Sequence, residues 1–225
     1  MEYVAADPAG SHFMRTGLYT RFAERRFIHR ARLNLLPLNS ARPWRRGGDQ
    51  RCRRCGYASK TLPHVLNHCM PQSQAMTQRH NTVVERVNKA SADRFTLVSE
   101  NQLVGDTRLR PDLVLVRGEE AVVVDVCVPF ENRKEALGSA SSIHPSMTKK
   151  EKYRPVVDHL RRRYRWVTVE AVVVGALGSW DPANDRFLKR LCCRSYLMRV
   201  KQMAASDVIR ASRDIYAAHI AGPTQ

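Results

Sequence analysis

Long apolar runs are missing from this chain of 225 residues. None approaches the roughly 20 residues that span a bilayer, so no membrane-crossing helix is expected. No apolar h-region stands near the N-terminus, and secretion is not expected either. Internal repeats and low-complexity tracts are absent, which argues against a repeat array. No two aspartates are adjacent, so the chain carries no Tyr-x-Asp-Asp polymerase motif. Acidic residues are scarce: 21 Asp and Glu face 38 Lys and Arg, for a net charge of +17 and a pI near 10.3. The excess is mostly arginine, whose planar fork suits phosphate oxygens. A polyanion, chiefly nucleic acid, is the partner this balance implies. A basic membrane-surface or ribosomal-type protein is the alternative. The length allows one sizeable core, or one modest domain with appendages.

Six cysteines are present, and their grouping fits an intracellular metal site better than a disulfide framework. Cys52, Cys55, His64 and Cys69 read as C-x2-C-x8-H-x4-C. That pattern supplies four ligands for a tetrahedral zinc. Such a site is closed, so its role is structural. Gly56 follows the second cysteine, where a knuckle turn often needs a positive φ. A second reading puts His68 in place of His64, but His68 adjoins Cys69 and the two are poorly placed on one ion. Free thiols are the other alternative. Arg53 and Arg54 inside the loop suggest that the knuckle also touches phosphate.

Two short apolar runs, Leu113 to Val116 and Ala121 to Val128, flank the polar tetrapeptide Arg117-Gly118-Glu119-Glu120. They read as a β-hairpin buried on both faces. Asp112 opens the first strand and Asp125 interrupts the second. A carboxylate among valines is costly to bury unless it meets a cation or a metal. With the turn at 117–120, residue 112 lies roughly opposite residue 125. Two carboxylates so placed can hold one divalent ion with oxygen ligands, as Mg²⁺ prefers. The alternative is a strand-capping Asp and an Asp in a buried ion pair.

The remaining chain frames this hairpin. A helix is expected from about His12 to Leu36, ended by Pro37 and Asn39. Residues 1–72 hold 13 Lys or Arg against 4 acids. Arg25, Arg26 and Arg30 on that helix are candidate phosphate contacts, unless they form only a solvated face. Arg42 to Asp49 reads as a basic linker. A helix from Gln72 to Asp93 carries Arg79, His80 and Asn81; a lone His on an apolar stripe is also commonly a satisfied core residue. Phe95 to Ser99 is a strand. Pro129 ends the hairpin, and Glu131 to Ser146 reads as a polar, mobile loop. Pro155 suits the first turn of a helix running to about Tyr164. Residues 147–167 hold 8 Lys or Arg against 2 acids. Val167 to Leu177 is a buried strand, and Asn184 to about Ala218 is helical.

From residue 73 the order is α-β-β-β-α-β-α, which suits one α/β domain with a mixed sheet. Arg110-Pro111-Asp112, a hairpin and Asp125 resemble the Pro-Asp…Asp/Glu-x-Lys nucleases of the restriction-endonuclease-like fold. The arginine-rich helix, the CCHC knuckle, Arg79-His80-Asn81, Arg110-Pro111-Asp112, Asp125 and Lys149-x-x-Lys152-Tyr153 follow one another in that order. The set resembles the C-terminal part of the Pol protein of non-LTR (type-1) retrotransposons with a restriction-like endonuclease, of the kind inserting in large-subunit ribosomal RNA genes. The resemblance covers about residues 15 to 190. It implies a restriction-endonuclease-like α-β-β-β-α-β core at residues 73–180. Before it come a basic helical region at 1–47 and a zinc knuckle at 48–72; after it come C-terminal helices at 181–225.

The resemblance further implies that Asp112 and Asp125 bind catalytic Mg²⁺ and that Lys149 matches the displaced family lysine, with Lys152 close behind. Cys127, not lysine, stands two residues after Asp125. Arg79, His80, Asn81 and Arg110 join the implied nucleic-acid contacts. The implied activity is nicking of double-stranded target DNA, so that the 3′-hydroxyl primes reverse transcription of the element RNA. The reverse transcriptase part of the polyprotein is absent from this sequence, and a nuclear location is implied. A non-catalytic zinc-knuckle binding module and a junction-resolvase-like nuclease are the alternatives.

Overall fold

The computed structural model describes residues 2–41, 49–131, 142–144 and 147–222. Its strands are β1 (Thr96–Glu100), β2 (Leu113–Arg117), β3 (Glu120–Cys127), β4 (Ser142–His144), β5 (Met147–Thr148) and β6 (Trp166–Val173). The central sheet runs β1-β2-β3-β6, and β4 pairs with β5 in a separate small ladder. β1, β2 and β3 form antiparallel pairs, whereas β3 and β6 are parallel. The architecture is therefore mixed α/β.

Valine and leucine in β2 and β3 are buried on both faces, as a doubly covered sheet requires. Side chains alternate along a strand. Leu113, Leu115, Val122 and Val124 accordingly pack with Val83, Val84 and Val87 of the helix Ser73–Ser91 and with Phe187 of the helix Asn184–Leu191. Val114, Ala121 and Val123 point the other way, toward Tyr153 and toward Val156 and Leu160 of the helix Arg154–Leu160. A parallel pair needs a crossover, and the helix Arg154–Leu160 lies on the one between β3 and β6. Pro155 occupies its first turn. The hairpin closes on Arg117 paired with Glu120, leaving a two-residue loop. Gly118 takes φ 56 there, the left-handed backbone that tight hairpins place on glycine.

A second apolar cluster joins Phe27, Ile28 and Ala31 of the arginine-rich helix Phe22–Arg32 to Leu62, Val65 and Leu66 of the knuckle. Both pack on Ile209 and Ile215 of the long helix Arg194–Ala221. No described helix is long and apolar enough to cross a membrane.

Three expectations need correction. The first helix is two pieces, Phe13–Thr16 and Phe22–Arg32. Gly17 at φ 66 and Tyr19 at φ 60 turn the chain between them. The C-terminal helical stretch likewise breaks at Cys192 and Cys193, both extended, between Asn184–Leu191 and Arg194–Ala221. Glu131 does not begin a polar loop: it is buried and accepts hydrogen bonds from the amides of Leu177 (2.8 Å) and Ser179 (3.0 Å). Burial raises its pKa, partly offset by those amides. A Cβ at Gly175 would run into this carboxylate, which accounts for the glycine. The rest of the expected loop, residues 132–141 and 145–146, lies outside the described residues, as do 42–48 of the expected linker.

Candidate functional site

The β2–β3 ladder pairs Leu113 with Val124, so the next rung sets Asp112 opposite Asp125. Asp125 shares the face of Val123 and meets Tyr153 of the crossover, whereas Asp112, one residue ahead of β2, reaches His80 of the helix Ser73–Ser91. Asp112 Oδ2 accepts from the Val126 amide at 2.6 Å and lies 3.3 Å from His80 Nε2. His80 Nε2 also faces the Val126 carbonyl at 3.2 Å, and Asn81 Oδ1 lies 3.2 Å from Nδ1. Burial opposes charging of this imidazole, but Asp112 outweighs it and the pKa stands above its ordinary value. Asp125 Oδ1 accepts from the Tyr153 hydroxyl at 2.6 Å. Burial, then Asp125, push the Tyr153 phenol up, so it stays a donor. Lys152 Nζ donates to the Tyr153 oxygen at 3.0 Å and lies 3.7 Å from Asp125 Oδ1. Cys127 Sγ lies 3.8 Å from Asp125 Oδ2.

Carboxylate oxygens are the ligand type that a hard divalent cation takes. Mg²⁺ takes one or two carboxylates and keeps several waters. Asp112 Oδ1 makes no hydrogen bond among the described residues, and Asp112 is only partly buried. Lys149 opens the helix Lys149–Lys152, but its side chain lies outside the described residues. Tyr153 was not among the residues singled out from sequence, although it forms a pair with Lys152 in the motif that was. A groove of about 290 Å³ is lined by Asn67, Met76, Arg79, His80 and Val128.

The four knuckle residues converge. One ligand atom from each of Cys52, Cys55, His64 and Cys69 lies within 4.8 Å of all the others. Cys52 Sγ and Cys69 Sγ are 3.9 Å apart, and Cys55 Sγ is 3.3 Å from His64 Nε2. Ligands at about 2.3 Å from a tetrahedral zinc would put two sulfurs about 3.8 Å apart. Burial, then the neighbouring thiols Cys52 and Cys55, push the Cys69 thiol up to about 12. A cation among the sulfurs would favour their thiolate forms. Burial, then His68, lower the His64 pKa, which keeps the ring neutral as a ligand must be. The cluster can thus hold a zinc ion. Gly56 has φ +75 and its amide donates to Cys52 O, closing the knuckle turn. His68 is exposed and outside the cluster.

One further residue at this cluster gave no signal in the sequence. His219, in the last turn of the helix Arg194–Ala221, places Nε2 3.3 Å from Cys52 Sγ. Burial, then Lys60, Arg54 and His64, push its pKa down to about 4, so the ring is neutral beside the sulfur. Arg54 donates to the His219 carbonyl at 3.0 Å and to the Ala218 carbonyl, capping that helix.

The arginines divide. Arg26, Arg30, Arg53 and Arg110 are exposed, the last just ahead of Asp112. Arg25 is turned onto its own chain, donating to the Thr20 and Gly17 carbonyls. Arg54 is taken up by the helix end. Arg79 is a correction: it is 2% exposed and donates to Ser212 Oγ (3.0 Å) and the Leu66 carbonyl (3.0 Å). Burial lowers its pKa to about 10, partly offset by Glu131. A buried guanidinium spent on internal acceptors does not reach phosphate. His80 meets Asp112, and Asn81 is exposed beside His80.

No family model matches this chain. Over 161 residues it is 29% identical to the "Retrovirus-related Pol polyprotein from type-1 retrotransposable element R2" of Popillia japonica. The match takes in 69% of this chain and 32% of that protein, so the chain spans about a third of its relative's length. Over those residues the chain is similar to part of the Pol polyprotein of a type-1 retrotransposable element.

Proposed function

We propose that the chain is the metal-dependent DNA endonuclease segment of a retrotransposon Pol protein, built on a restriction-endonuclease-like core. One observation carries the reading. Asp112, one residue ahead of β2, and Asp125 on β3 flank the last pair of a buried hairpin, Leu113 with Val124, with Lys152 3.7 Å from Asp125. A Mg²⁺ ion held by these carboxylates would supply Lewis-acid polarisation of the phosphate and a more acidic water. The chain's own groups do the rest. The Val126 amide and His80 fix Asp112, and Tyr153 fixes Asp125. Lys152 brings a cation to where charge builds on the phosphoryl oxygens, a role open to Lys149 as well. Hydrolysis would leave a 5′-phosphate and a 3′-hydroxyl on double-stranded target DNA. That hydroxyl would prime copying of the element RNA by the reverse transcriptase part of the polyprotein, in the nucleus. The zinc knuckle would hold the basic N-terminal region against the core.

Plasmid nicking in Mg²⁺ tests this, with Asp125→Ala and Lys152→Ala beside the parent. The expected result is nicking by the parent that is lost in Asp125→Ala. Equal nicking in all three would overturn the site. Tight DNA binding without any nicking would favour a binding module, and a strong preference for branched DNA would favour a resolvase.

A further inference from the structure

β6 pairs only with β3 in the described sheet, so its outer edge is open. At Val173 that edge is covered: Asn184 donates to the Val173 carbonyl at 2.8 Å and accepts from its amide at 2.9 Å. Upstream, along Val167 to Glu170, the edge opens into a groove of about 490 Å³. Arg154, Arg161 and Arg186 line it. Its two acids are already paired, Asp158 with Arg161 at 3.7 Å and Glu170 with Arg190 at 3.1 Å. Arg154 and Arg186 make no ion pair among the described residues and are exposed. Thr168 Oγ1, in the same wall, has no hydrogen-bond partner among the described residues.

The groove begins beside an aromatic. Trp166, the first residue of β6, is 61% exposed. Arg162, Arg163 and Arg165 around it are exposed too, with the Arg165 guanidinium 5.3 Å from the Trp166 ring. At the other end, the rung that pairs Ala171 with Asp125 leads to the carboxylates. Five residue steps along the strand separate Trp166 from Ala171, about 16 Å.

We propose that this groove is a second nucleic-acid site, which takes a single strand and leads it from the carboxylates to Trp166. The arginines would take successive phosphates, and Trp166 would stack on an unpaired base. A duplex keeps its base faces covered, so an exposed indole has nothing to stack on there. The open edge also invites pairing with a second copy of the chain. Two copies meeting there would set the same arginines against each other in a chain of net charge +17, which opposes it. The inference rests on the nucleic-acid part of the proposed function and not on cleavage.

The test is fluorescence anisotropy of the full chain without Mg²⁺, on labelled oligo-dT, oligo-U and a hairpin duplex. Trp166→Ala should weaken single-strand binding by about five- to a hundredfold, the loss of one base stack. The triple variant Arg154→Gln, Arg161→Gln, Arg186→Gln should flatten the log–log salt slope on oligo-dT by about 2, at roughly 0.7 per phosphate. Duplex binding should change little in either. The two homopolymers separate a DNA strand from an RNA strand as the occupant. Parent-like single-strand binding in both variants overturns the proposal, and so does an equal loss on the duplex. A parent dimer that dissociates on Trp166→Ala overturns it in favour of edge pairing between copies. Loss of nicking in Asp125→Ala is read separately, so failure of the nuclease reading leaves this test intact.

Discussion

Replacing Tyr153 by Phe removes one oxygen and nothing else from the carboxylate pair. The ring is 1% exposed and packs with Val114, Ala121 and Val123, contacts that Phe keeps. The hydroxyl donates to Asp125 at 2.6 Å, and Lys152 at 3.7 Å is a longer partner. A hydrogen bond to a charged acceptor contributes about 1.5–3 kcal/mol. Tyr153→Phe should therefore destabilise the chain by about 1.5–3 kcal/mol. At about 2–4 °C per kcal/mol for this length, the Tm should fall by about 3–12 °C. Urea and thermal unfolding of the parent and variant measure it. Tyr164→Phe is the control, because the Tyr164 hydroxyl makes no hydrogen bond among the described residues. A Tyr153→Phe variant within about 0.5 kcal/mol of the parent would refute the reasoning. So would an equal loss in the control.

Other outcomes follow from the same geometry. Metal analysis of the purified chain should find one zinc, lost in Cys69→Ser and His64→Asn but kept in His68→Asn, whose parent residue lies outside the cluster. His219→Ala should keep the zinc yet release it to a chelator about 10- to 100-fold more readily, since its ring supports Cys52 from outside the ligand set. Lys201 is buried between Asp7 (2.8 Å) and Asp185 (2.6 Å), so Lys201→Met strands two carboxylates and should cost about 3–5 kcal/mol in urea unfolding. Arg79→Ala should lower the Tm, whereas Arg26→Ala and Arg30→Ala should leave it and each flatten the duplex salt slope by about 0.9.

What the sequence revealed was local. The two Val-rich runs and the polar turn between them set a hairpin register that brings Asp112 opposite Asp125, because strand periodicity is two and the turn is short. The C-x2-C spacing and His64 likewise marked one compact loop. What escaped came from contacts between distant segments. His219 lies 167 positions from Cys52, and no spacing rule connects them. Glu131 reads as a surface acid until the amides of Leu177 and Ser179 enclose it. Arg79 reads as a phosphate contact through the resemblance, and a motif does not say which of its residues is buried. The break at Cys192-Cys193 is set by tertiary packing of two helices whose apolar stripes read as one.

The central claim is that Asp112 and Asp125 together hydrolyse a DNA phosphodiester. The most direct measurement is Mg²⁺-dependent nicking by the parent and by Asp112→Asn, purified side by side, followed by resealing of the nick with DNA ligase. The account predicts a nick by the parent that ligase reseals without prior phosphorylation, as 5′-phosphate and 3′-hydroxyl ends require, and no nick by Asp112→Asn. Nicking by Asp112→Asn at the parent's rate would contradict it.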